Sequence, residues 1–307
     1  MPVTHFAADL SPNISAPPAG LPAWLRRSLS FLVVVFVLCA GWEGYKVVGA
    51  WVDGGPTQPC GLSRMPICPS NSSMPHVWTI GSALSAPAQQ GNEEILLVML
   101  LRAALFTWRE AAIGFVVGSL FGFLLGAVLG RFFLLERSLM PYIVASQTVP
   151  LLAIAPMIVI WGGRLNLPTW WAVTVISAYL TFFPVTINTL RGLRSPNLTA
   201  VELMRSYAAS EMQILWKLRL PAALPYIFTA LKVSATTSVI GAIVGELPSG
   251  IQEGLGRLLL TFSYLFSLGP EKLYAAIFGA AVLGIVFTAI IALAERVIVP
   301  EERRLNE

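Results

Sequence analysis

The sequence predicts an all-α fold: a polytopic membrane bundle of six transmembrane helices. Three observations carry that reading. The 307 residues are 56% hydrophobic and only 12% charged, with a mean hydropathy of +0.73; soluble domains carry roughly twice that charge. The apolar residues gather into runs of about 20, the length a helix needs to cross the hydrocarbon of a bilayer. Stretches rich in proline, glycine and charge separate the runs. The net charge of +4 is small and scattered, which excludes a nucleic-acid footprint. Three cysteines and two histidines leave no metal-ligand spacing and little room for imidazole chemistry. No Walker-type loop, Gly-x-Ser-x-Gly elbow or His-Glu-x-x-His pair is present. Catalytic, cofactor-binding and metal-binding residues are therefore expected to be absent.

Taken in order, residues 1–25 are Pro/Ala/Ser-rich without a period and read as a disordered tail. Residues 26–48 read as the first transmembrane helix. A cleaved leader fits less well, because no small-x-small site follows the apolar run. Cys39 falls in this helix and is expected to be a small buried hydrophobe. Residues 49–94 are punctuated by Pro56, Pro59, Pro66, Pro69 and Pro75. They read as a long extracytoplasmic loop with one short surface helix. Cys60 and Cys68 lie in it, and a disulfide and two free thiols fit equally.

The core is expected over 95–296. Arg102 interrupts its first apolar run, suggesting an interfacial helix before a span from Ala111 to Gly130. Within that span Gly114, Gly118, Gly122, Gly126 and Gly130 recur every fourth residue. Such a stripe lets another helix backbone approach closely. The third span, Leu139 to Trp161, contains Pro141, Pro150 and Pro156. Proline frees backbone carbonyls, tolerated in lipid only where neighbours or water satisfy them. That makes Gln147 and Thr148, near its middle, candidates for lining a path or for gluing helices together. The fourth span runs from Pro168 to Leu190 and the fifth from Tyr226 to Leu247. The fifth carries Thr236 and Glu246 as further path candidates, and Lys232, which can snorkel to the surface. Leu258 to Leu268 is too short to span and reads as a re-entrant or surface helix. Leu273 to Leu293 is the last span, and 297–307 a polar tail.

The stretch 191–224 stands apart. Thr199 precedes Glu202 by three residues, and Ser210 precedes Gln213 likewise, so each pair predicts a capping box and a helix start. Leu203, Met204, Tyr207 and Ala208 share one apolar face. Pro221 and Pro225 are expected to stop or redirect the chain before the next span. Placing both termini in the cytosol puts most of the basic residues inside, including Arg131, Arg191, Arg194, Arg205 and Lys217. The same assignment puts 191–224 in the cytosol.

This segment resembles the Glu-Ala-Ala cytoplasmic loop of permease subunits of bacterial binding-protein-dependent ABC importers. Glu202 falls on the glutamate of that pattern, Leu203 and Met204 on its alanines, Ala208 on its glycine, and Arg219-Leu220-Pro221 on its end. Alanine takes a left-handed conformation only at a cost, so a right-handed or looser turn is expected at Ala208. The Ser-Tyr-Ala-Ala-Ser run resembles the nitrate, sulfonate and taurine branch and its pyrimidine and flavin importers. The resemblance implies a type I permease in the bacterial inner membrane, carrying a small anion or a vitamin precursor. It implies a docked dimer of separate ABC ATPase subunits that use the ATP, and a second permease copy, a homodimer before a heterodimer. It also implies a periplasmic or lipid-anchored solute-binding protein. Glu202, Leu203, Met204, Tyr207, Ala208, Ser210 and Pro221 become the ATPase-coupling candidates. A secondary solute carrier is the alternative, but it would show related halves and midplane charges.

Overall fold

A computed structural model describes residues 23–53, 65–88 and 94–299. It is all-helical, with five helices long and apolar enough to cross a membrane, or six if one bent pair counts as a span. The chain divides into two compact units, 1–70 and 71–307.

In the first unit, α1 (Ala23–Val52) already includes residues expected in the tail and extends past the predicted end at 48. Nothing in its sequence breaks a helix before Asp53. The Tyr45 hydroxyl donates to the Ile67 carbonyl at 2.9 Å, and Gly49 leaves room for the Pro69 ring. Cys39 is free and only half-buried, so it is not the core residue expected. Cys68 is disulfide-bonded; Cys60 lies outside the described residues, as do 1–22 of the predicted tail and most of its C-terminal counterpart.

The second unit begins with the short helix α2 (Val77–Ala83), the surface helix predicted in the loop. Next comes α3 (Leu96–Arg131), one uninterrupted helix of 36 residues. The expected break at Arg102 does not exist. Arg102 lies on the outside of the helix and pairs with Glu94 at 3.2 Å, so its charge never enters the core. Phe132, in an extended conformation, separates α3 from α4 (Phe133–Ser146). The predicted third span is in fact two helices, α4 and α5 (Leu151–Arg164), bent by 96°. Pro150 supplies the break, since the residue before a proline avoids the helical region. Pro141 and Pro156 are carried inside the helices.

The centre of the unit is α6 (Thr169–Leu193). It lies between α3 and α9 (Leu220–Ser249). The glycine stripe of α3 faces it. A Cβ on Gly122 would stand 2.6 Å from the Phe182 carbonyl oxygen, and one on Gly126 2.7 Å from that of Thr186. On its other side, a Cβ on Gly241 of α9 would stand 2.8 Å from the Ser177 Cα. Both neighbours therefore meet α6 backbone to backbone, at distances no larger residue permits. Hydroxyls join the seam: Ser177 Oγ donates to the Ser238 carbonyl at 2.9 Å, and Ser234 Oγ to that of Thr181 at 3.2 Å. In an apolar surrounding such bonds satisfy groups that water cannot reach.

After α9 come the amphipathic α10 (Leu255–Tyr264) and α11 (Pro270–Ile298). The Lys232 ammonium of α9 lies 3.0 Å from the Glu295 carboxylate of α11, an ion pair that fastens the two helices.

Gly122→Leu is expected to destabilise the solubilised protein by at least about 1–3 kcal/mol, because backbone rather than a movable side chain blocks the space. The Cβ of Gly130→Ala meets Leu193 Cδ1, the end of a movable side chain, most closely, at 3.3 Å, and the change should cost less than about 1 kcal/mol. Thermal melting in detergent of the two variants tests the contrast.

Candidate functional site

The segment between α6 and α9 forms the predicted double helix, with different joints. The first helix, α7 (Leu198–Ser206), starts one residue before Thr199. Asn197 is its N-cap, no side chain bonds there, and Thr199 lies inside it, so the first capping box is absent. Asn197, at φ −58° and ψ 142°, lies outside the helical region and sets the start without a side-chain bond. The second box forms as expected. Gln213 N–H donates to Ser210 Oγ at 3.3 Å, and the Gln213 side chain accepts from Ser210 N–H at 2.8 Å.

Ala208 closes α7 with φ +55°, in the left-handed region, and the expectation of a right-handed turn is wrong. Its N–H bonds to the Arg205 carbonyl, and Ala209 N–H to that of Met204 at 3.0 Å. This is a Schellman motif, whose left-handed position usually holds glycine. The hydrogen bonds, and an ion pair of Arg205 with Glu211 at 3.0 Å across the turn, hold alanine in a conformation that costs about 1–2 kcal/mol.

The second joint is stiffer than the prolines suggest. The short α8 (Glu211–Ile214) passes through one π-helical turn, Leu215–Arg219, directly into α9. Leu220 N–H reaches back five residues to the Leu215 carbonyl. Pro221 is the second residue of α9, directly after the π-helical turn. Pro225 is carried within the helix. The chain therefore runs helically from Glu211 to Ser249, 39 residues, and neither proline stops it.

Val201 and Ile214 anchor the double helix inward. Leu203, Met212 and Tyr207, the last 80% exposed, face outward, joined by Leu198 and Trp216. Glu202 and Ser210 are exposed or nearly so, and Met204 is half-buried. Trp216 donates its indole N–H to Met212 Sδ at 3.2 Å. Leu198 escaped the sequence reading because the first helix starts before Thr199, whereas Trp216 lies within the second helix that the sequence predicted but was not placed on its apolar face. The result is a stiff, outward apolar face on a pair of helices rooted in α6 and α9.

The four path candidates lie on different elements. Gln147 and Thr148 lie in the exposed turn between α4 and α5. Thr236 pairs with Thr288 at 2.9 Å along a groove between α9 and α11. Glu246 is 1% exposed. It accepts from Thr107 Oγ1 at 2.6 Å and from Gly256 N–H at 2.5 Å, while Leu255 N–H donates to Thr107 at 2.8 Å. Gly254, at φ +98°, lets the turn pass close over the carboxylate. Glu246 thus caps the N-terminus of α10 and ties it to α3 and α9. Glu110, also buried, lies beside it.

Residues 118–300 match the family described as the inner membrane component of binding-protein-dependent transport systems. The chain belongs to this family. It is an ABC-importer permease subunit of the inner membrane, and its role is transport rather than catalysis. The formylaminopyrimidine transport permease protein ThiX of Halalkalibacterium halodurans is 35% identical over 237 residues, 74% of this permease and 92% of ThiX. The riboflavin transport system permease protein RibX of Chloroflexus aurantiacus is 31% identical over 166 residues, 54% of this permease and 59% of RibX. The putative aliphatic sulfonates transport permease protein SsuC of Bacillus subtilis is 32% identical over 187 residues, 61% and 65% of the two chains. The permease's family implies an ABC ATPase and a solute-binding protein as partners.

Ala208→Gly should stabilise the turn by roughly 1 kcal/mol, since glycine takes the left-handed region without a Cβ clash. Slower hydrogen exchange at the Ala209 amide would record it. Thr107→Val should destabilise the bundle by about 1–3 kcal/mol by leaving Leu255 N–H without its acceptor, whereas Thr107→Ser should keep most of the stability; melting curves of both decide.

Proposed function

We propose that the helices α7 and α8 are the handle by which a separate ATPase moves this permease. The observation that carries the reading is the exposed apolar face of Leu203, Tyr207, Met212 and Trp216 on a pair of helices, the second of which is continuous with a span. A face that remains apolar outside the membrane calls for a protein groove. Glu202 adds a charge for a basic residue of that groove. Helical continuity from Glu211 to Ser249 turns movement of the handle into movement of α9. The basic residues around the handle support a cytosolic position, with both termini on the same side.

In this reading two copies of the permease form the path and the ATPase dimer binds below them. ATP binding draws the handles together and opens the path toward a loaded binding protein, and hydrolysis returns it. The solute is a small molecule, and a heterocyclic vitamin precursor of the pyrimidine class is the first candidate. The support is that the relative aligned over 92% of its length carries a formylaminopyrimidine name. Sulfonate and nitrate permeases align over smaller shares. Titrating the co-encoded binding protein with formylaminopyrimidine, riboflavin, taurine and nitrate discriminates these classes.

The docking role has a direct test. The double variant Glu202→Lys, Tyr207→Lys is expected to insert into the membrane normally and to lose co-purification of the ATPase. A stable double variant that retains the ATPase overturns the reading.

A further inference from the structure

The helix α4 is held in an unusual way. None of its side chains is buried within the described chain. It begins at the extended residue Phe132 and ends at the turn 147–150, so neither end continues a helix. Two polar ties connect it to α6. At its far end the Tyr179 hydroxyl donates to the Ser146 carbonyl at 2.7 Å. At its start Glu136 accepts both terminal N–H groups of Arg194, the first at 2.8 Å and the second closer still. Between the ties α4 stands off α6, leaving a cavity of about 540 Å³ lined by Met140, Val144, Ile187, Leu190 and Tyr226. A rod with a non-helical joint at each end, tied to its neighbour by two polar contacts with a cavity between them, is placed to swing once a tie gives.

The position of Arg194 gives the swing a driver. Arg194 is the C-cap of α6, three residues before the N-cap of α7. Any displacement of α7 acts on the backbone of Arg194 before it reaches the spans. A two-point guanidinium–carboxylate bond is directional and resists rotation, unlike a single-point contact through lysine. Arg191 lines the same cavity, but the ion pair is made by Arg194.

We propose that the Glu136–Arg194 pair is a tie rod that makes α4 follow the handle, so that α4 and α9 are moved together. Glu136 and Arg194 are positioning residues: they act through α4 and touch no solute. The proposal rests on the reading of α7 and α8 as the ATPase handle, and its test separates the two.

The full-length permease, assembled with its ATPase in nanodiscs on a Cys39→Ser background, is spin-labelled at Ser206 in α7, Leu134 in α4 and Val233 in α9. One site is labelled per sample, and the distance between the two permease copies is measured without nucleotide and with ATP under non-hydrolysing conditions. All three distances are expected to change in the parent. Arg194→Glu and Glu136→Gln should each keep the Ser206 change and lose the Leu134 change. The charge swap Glu136→Arg, Arg194→Glu should restore it. Glu136→Gln keeps the shape of the side chain, so it guards against misfolding in the charge-reversed variant. A Leu134 change that survives both single variants, or that the swap does not restore, overturns the tie rod. So does a still Leu134 in a parent whose Ser206 moves. A parent that binds no ATPase, or whose Ser206 does not move, overturns the handle and the tie rod with it.

Discussion

The backbone of α6 is gripped from two sides by helices that have given up their side chains to reach it. On one side lies the glycine stripe of α3, on the other Gly241 and Gly245 of α9. In lipid no hydrophobic force drives helices together, since the tails are as apolar as the residues. Close contact, weak Cα–H···O bonds and hydroxyl-to-carbonyl bonds must supply the cohesion. Ser177, Thr181 and Ser234 stand at these seams. With α3, α6 and α9 fixed as one block, the parts that remain free are those without such a seam.

In the proposed coupling those parts carry the function. The double helix leaves the block at Leu193 and rejoins it through α9, and α4 leans on the block through two polar ties. In that reading the two jointed attachments divide the labour: one surface accepts force, one element passes it on, and the block keeps its shape. The π-helical turn at 215–219 serves the same end, because it joins α8 to α9 without a break in the helix.

Glu246 shows how a charge can mislead a sequence reading. A glutamate near the end of a span suggests contact with solute or partner. Here it is an internal cap, its acceptors taken up by Gly256 N–H and Thr107 at the start of α10. Helix N-termini hold positive partial charge and unpaired N–H groups, and a buried carboxylate is an apt partner for both. The clue in the sequence was the pair of glycines at 250 and 254, whose positive φ folds α10 back over α9.

The sequence by itself determined the features that depend on local chemistry and spacing: the membrane class, the apolar runs, the Ser210–Gln213 capping box, the glycine stripe and the external double helix. Each is written in residues within a few positions of one another. Only the tertiary structure decided the partner of the stripe, the fate of Arg102, Lys232 and Glu246, the left-handed turn at Ala208, and the 96° break that turned one expected span into two helices. The physical reason is the same throughout. A charge, a proline or an alanine carries a cost that local sequence can state, but the group that offsets it, such as Glu94, Glu295 or Gly256, comes from elsewhere on the chain or from bonds that form only once the fold has closed.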